Sequence, residues 1–188
     1  MAHRAAFGTL TPNTPIPVVY TTFMHDNQEL GNGYVFGAPG ADAVIEANKV
    51  AYFNDFTTRA VFLAKYPLSL TNAKYVDNIL TTAGLPTTGT FRDNLVNGLN
   101  GGTETRASVM RKIAESSTLK TREFNGAFVL MQYFGYLRRD PNAAPDSDYS
   151  GYNFWLGKLN SFNGDFVASE MVKAFISASE TRARFGNP

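Results

Sequence analysis

Cysteine is absent from the chain, and its absence excludes disulfides, thiolate metal sites and cysteine nucleophiles together. An excess of one charge is lacking too, because 17 basic residues face 16 acidic ones along the sequence. Neutralising phosphates takes a basic field, so nucleic acid is not an expected partner. No apolar run approaches the ~20 residues of a membrane span, and no signal peptide precedes His3 and Arg4. Histidine is scarce, with only His3 and His25, and no Asn-x-Ser/Thr acceptor occurs. His25 and Asp26 form an acid–base pair on paper, yet no GxSxG or other nucleophile motif accompanies them. Residues 31–37 (GNGYVFG) lack the GxGxxG spacing and a following Lys-Ser or Lys-Thr, so they read as a turn rather than a phosphate loop. These gaps leave a non-catalytic chain as the expectation.

What is present is apolar and helical in period. Hydrophobic residues make up 44% and aromatics 13%, which is too rich for disorder. Residues 8–19 hold three prolines, each without a backbone donor, and predict an extended arm. Residues 20–30 suit a short helix, and glycines fill 31–40, so residues 1–40 are expected to be a Pro/Gly-rich arm and turn region. From Ala41 the pattern turns helical. Tyr152, Trp155, Leu156 and Leu159 fall at i, i+3, i+4 and i+7, with Ser150 positioned to cap the helix start. Asp165 is positioned to cap a following helix with Val167, Met171, Ala174, Phe175 and Ala178 on its buried face. Residues 124–137 are apolar nearly all round, which predicts a central helix covered on several sides. No period-2 run stands out, so the expected fold is all-α with about seven to nine helices.

A repeat is also legible. Residues Tyr75, Leu95 to Leu99, Gly101-Gly102, Val109 and Ile113 parallel Phe128, Trp155 to Leu159, Asn163-Gly164, Val172 and Phe175. This divides the chain into an arm (1–40), the tail of a preceding repeat (41–66), a first repeat (67–120) and a second (121–188). Residues 41–188 are expected to pack as one compact unit, and a chain opening on a repeat tail is expected to belong to a longer array.

The order Tyr133 or Tyr136, Leu137, Arg139, Pro141, an acidic turn, Gly151, Trp155, Gly164, Phe175, Ser179 and Glu180 resembles a helical repeat of large secreted and surface proteins of bacteria, a family without known function. In pattern it is also similar to the helical domains of phycobilisome linkers, which are scaffolds. Arg138 stands where the repeats usually carry Gly, and the loop before Gly151 is longer than theirs. The resemblance implies a bacterial extracellular or cell-surface location and a structural pairing of Arg139 with Glu180. A bidentate guanidinium would tie the start of the repeat to its end, and the alternative role of these two residues is anion binding.

Two places remain, each with two competing readings. Asp146, Asp148 and Ser150 sit at positions 1, 3 and 5 of a calcium-type loop, with Gly151 at 6 and the Tyr152 carbonyl at 7. Gly157 occupies the twelfth position where a bidentate Glu belongs, and Asp140 and Asn142 are the substitute oxygens. The other reading of this loop is a solvated, capped turn. Trp155 with Tyr152, Phe154, Tyr133 and Tyr136 reads either as core or as a glycan-stacking platform. The functional expectation is thus an interaction or assembly module with protein partners, with calcium as the candidate cofactor. The alternatives are a carbohydrate-binding module and an accessory domain of an extracellular enzyme.

Overall fold

The computed structural model describes residues 1–11 and 13–186; Pro12 of the proline-rich stretch and the last two positions of the second repeat lie outside the described residues. The chain is helical, with no strand among the described residues and no helix long and apolar enough to cross a membrane. Eleven α-helices occur there, more than the pattern predicts. The surplus comes from pieces of six or seven residues, too short to show a period. The chain divides into two compact units, 1–9 with 21–120 and 10–20 with 121–188, rather than one unit over 41–188.

The first unit contains α1 (Ala2–Phe7), most of α2 (Tyr20–Gly31), α3 (Ala41–Phe56), α4 (Ala60–Lys65), α5 (Asn72–Ala83), α6 (Thr90–Asn100) and α7 (Arg106–Ala114). Its central helix is α5. The Thr71 side chain accepts from the Lys74 amide at the start, and Gly84, in the left-handed region with φ 64°, ends it. Between these signals Tyr75, Val76, Ile79, Leu80 and Ala83 recur at helical spacing and are all buried. Thr105 and Ser108 cap α7 reciprocally, each side chain accepting from the other's backbone amide.

The expected arm is replaced by packed structure at its first residues. Helix α1 lies against α5 and α7, with Ala5 and Ala6 fully buried. Two alanines present no bulk, so the short helix approaches closely, and the Tyr66 hydroxyl donates to the Ala6 carbonyl at 2.6 Å. Phe7, Phe56, Phe62, Tyr66 and Tyr75 continue this core as a chain of ring contacts.

Helix α8 (Ser117–Gln132) starts in the first unit, and from Thr121 onward it belongs to the second. A π-helical turn (Tyr133–Leu137) prolongs it and stops at Arg138, whose φ of 49° lies in the left-handed region that favours glycine. The Arg138 guanidinium lies 4.5 Å from the centre of the Phe185 ring. Helices α9 (Ser150–Ser161), α10 (Met171–Ser177) and α11 (Ser179–Phe185) complete the unit. The proline-rich stretch is no free connector. Ile16 and Val18 are buried, Tyr20 packs its ring against Phe134, and the Tyr20 amide donates to Asp140 at 2.7 Å.

Two local expectations are corrected. Ser150 is the first helical residue of α9 rather than its cap, and its amide donates to Asp148 at 2.8 Å. Asp165 does cap, accepting from the amides of Val167 and Ala168, but it closes a turn rather than starting a long helix. The next helix begins only at Met171, leaving Val167 71% exposed instead of buried.

Candidate functional site

Arg139 organises the loop after the π-helical turn. It is buried, and its guanidinium donates to both Glu180 oxygens at 2.8 and 3.1 Å and to Asp146 at 2.8 Å. It also donates to the carbonyls of Asp140, Pro141 and Ala143. Burial would raise the Glu180 carboxyl, but the guanidinium groups of Arg139 and Arg184 hold it below its ordinary range. Arg139 thus fastens α11 to the loop and fixes the loop backbone by filling three carbonyl acceptors.

This arrangement settles where the calcium-loop oxygens point. Asp146 accepts from Arg139, Asp148 from the Ser150 amide, and Asp140 from the Tyr20 amide. Asn142 is exposed, and Tyr152 lies inside α9, where its carbonyl belongs to the helix ladder. Each carboxylate therefore has its own protein donor, and a calcium ion would compete with a buried guanidinium for Asp146. Melting temperatures in EDTA and in calcium at about 1 mM, the range of weak extracellular loops, should coincide. A rise in calcium that disappears in Asp146→Asn would instead put an ion in this loop.

Gly151 has a different role from the sharp turn its position implies. A Cβ there would lie 2.7 Å from the Tyr133 hydroxyl, so the glycine makes room for a buried tyrosine. Tyr152 is buried and its hydroxyl donates to the Gly126 carbonyl at 3.1 Å. Trp155 is half-buried, with Phe175 against it at 5.7 Å, Phe154 edge-on at 5.2 Å and the Lys158 ammonium over its ring. A sugar platform needs a free ring face, and these neighbours crowd this one.

The first unit holds a polar cluster that sequence spacing does not reveal. Asp26 is buried and accepts from His3 Nε2 at 2.6 Å, from the Tyr52 hydroxyl at 2.8 Å and from Arg59 at 2.7 Å. Burial works to raise its carboxyl, but hydrogen bonds from His3, Arg59 and Tyr52 outweigh burial and lower it to about 2. His25, Asp26 and Glu29 bring ligand-type atoms within 4.8 Å of one another. Arg59 already donates to both carboxylates and to Asp55, so the cluster works as a clasp joining α1, α2 and α3 to the chain before α4.

The surface departs most from expectation on α8. Leu130, Tyr133, Phe134 and Leu137 are buried, but Phe124, Ala127, Phe128 and Met131, at i, i+3, i+4 and i+7, form a second face that the unit covers only in part, with Ala127 and Phe128 half-buried. Phe124 is 52% and Met131 36% exposed. Phe124 stacks on Phe128 at 6.1 Å, and Phe128 stacks on Phe166 at 5.0 Å, extending the apolar stripe to the turn that carries Val167. The signal for this surface was the all-round apolar character of 124–137. What it does not specify is which face stays bare.

Compared with protein-family models, curated proteins and solved structures, the chain matches none.

Proposed function

We propose that the chain is a non-catalytic interaction module, and that the partly exposed apolar face of α8 docks a like helix from another copy of the module. The observation that carries this reading is the apolar stripe Phe124, Ala127, Phe128 and Met131, continued by Phe166 and Val167. Its spacing is that of a helix-packing seam about 10 Å long at 1.5 Å per residue. The stacking of the rings decides between partners. Phe124 stacks on Phe128 and Phe128 on Phe166, so Phe128 turns ring faces to its neighbours and the row forms a ridge along the helix, a shape suited to interdigitating side chains.

A like helix is the occupant proposed because a two-fold contact presents the same stripe from both copies, and the repeat expected from the sequence would supply further copies. The patch is small beside the ~1,600 Å² of a standard interface, so a dissociation constant on the order of 0.1–1 mM is expected. Tethering in an array offsets that weakness, since short linkers give effective concentrations in the millimolar range. This agrees with the location the resemblance implies, in repeats of bacterial secreted or surface proteins. Sedimentation equilibrium over rising concentration tests it. The wild type should self-associate, and the Phe124→Asp/Met131→Asp double variant, equally folded, should stay monomeric. A wild type that stays monomeric at millimolar concentration, or equal association of both, would defeat the reading.

A further inference from the structure

A cleft of about 530 Å³ opens on the first unit, between α6 and the turn leading into α7. Small-molecule sites span roughly 300–1,000 Å³. One wall is α6, where Phe91, Asn94 and Asn97 follow at three-residue steps and share a face. The other is the segment Gly101 to Glu104 with Lys112. This wall is built rather than loose. The Gly98 carbonyl accepts from the amides of Thr103 and Glu104 at 3.0 and 3.1 Å, folding the segment back onto the helix. A Cβ on Gly98 would lie 2.4 Å from the Glu104 side chain, so the glycine is what allows the walls to approach. The Glu104 carboxylate is fixed by Ser108 and Lys112, and these bonds keep it ionised below its ordinary range.

The lining has a recognisable chemistry. Phe91 is 44% exposed and stacks on no other ring among the described residues. The side-chain amides of Asn94 and Asn97, both exposed, make no hydrogen bond within the described protein, and each offers two donor hydrogens and an acceptor oxygen. Glu104 adds an acceptor and Lys112 a donor, already balanced against each other. An anion would meet the carboxylate, and a cation the ammonium. A neutral ring bearing hydroxyls, each both donor and acceptor, with an apolar C–H face for the phenyl, matches every group present.

We propose that this cleft is a binding subsite for a neutral hexopyranose unit of a glycan, stacked on Phe91 and hydrogen-bonded by Asn94 and Asn97. It uses none of the residues of the α8 stripe and stands or falls independently of it. The test is an amide-resolved NMR titration of the full chain with glucose, galactose, mannose, N-acetylglucosamine and their β-linked disaccharides. One of these should shift residues 91–104 and Lys112 with a dissociation constant on the order of 1 mM. Phe91→Ala should weaken that binding about tenfold or more, equivalent to ~1.4 kcal/mol. Phe91→Tyr should retain it, and Asn94→Ala/Asn97→Ala should weaken it while leaving the spectrum folded. No shift with any of these sugars, shifts confined elsewhere, or binding undiminished in Phe91→Ala would overturn the proposal.

Discussion

Arg139→Ala should destabilise the second unit by about 3–5 kcal/mol, the range for removing one partner of a buried ion pair. The loss is large because one side chain satisfies six acceptors. Without it, Asp146, Glu180 Oε2 and the carbonyls of Asp140, Pro141 and Ala143 lose this donor together, and Glu180 Oε1 keeps only Arg184. Lysine keeps the charge but has no planar fork to reach Glu180, Asp146 and the carbonyls at once, so Arg139→Lys should recover less than half of the stability. Chemical denaturation of the three proteins measures this. A cost below about 1 kcal/mol for Arg139→Ala, the level of a surface pair, would mean that the loop is held by something else.

The second large effect is expected at Asp26. Its removal leaves the Tyr52 hydroxyl and His3 without their acceptor, whereas Arg59 keeps Glu29 and Asp55. Asp26→Ala should therefore cost about 3 kcal/mol, the lower end of the buried-pair range. The same carboxylate gives the first unit an acid limit. Its folded pKa of about 2 lies below the ordinary value of 3.8, so the folded form binds this proton less readily than the unfolded form. The stabilisation is complete above pH ~4 and disappears as pH falls through about 2, and it amounts to about 2 kcal/mol. Stability measured from pH 5 down to pH 2 should fall more steeply for the wild type than for Asp26→Asn. Parallel curves would show that Asp26 does not set this slope.

Elements with both a stripe and a stop signal were legible in the sequence. Helix α9 shows the stripe through Tyr152 and Leu159, and Asn163-Gly164 ends it, with Gly164 at φ 84°. Helix α1 was not, because six residues containing three alanines carry no period and their burial depends on α5 and α7. The segment after Asp165 misled because a capped turn and a capped helix share the same first three residues. At the loop, Arg139 and Glu180 were named from the resemblance, but the hold of Arg139 on Asp146 was not foreseen. Calcium-type spacing counts oxygens without knowing which donors the fold brings to them. Asp26 stands beside His25 in the sequence, but its buried cluster is not legible there, since His3, Tyr52 and Arg59 lie more than twenty residues away and only packing gathers them.

The proposed contact of one α8 with another through this stripe can be tested directly, because the chain has no cysteine of its own. Ala127 sits mid-stripe, and in a two-fold contact the centre of a patch meets itself. A disulfide forms only when the two Cα atoms come within about 7 Å. Under mild oxidation at high protein concentration, Ala127→Cys should give a covalent dimer. Asn153→Cys, exposed on α9, should give little. Dimer from Ala127→Cys that vanishes when Phe124→Asp and Met131→Asp are added is the predicted result, and no more dimer from Ala127→Cys than from Asn153→Cys would contradict it.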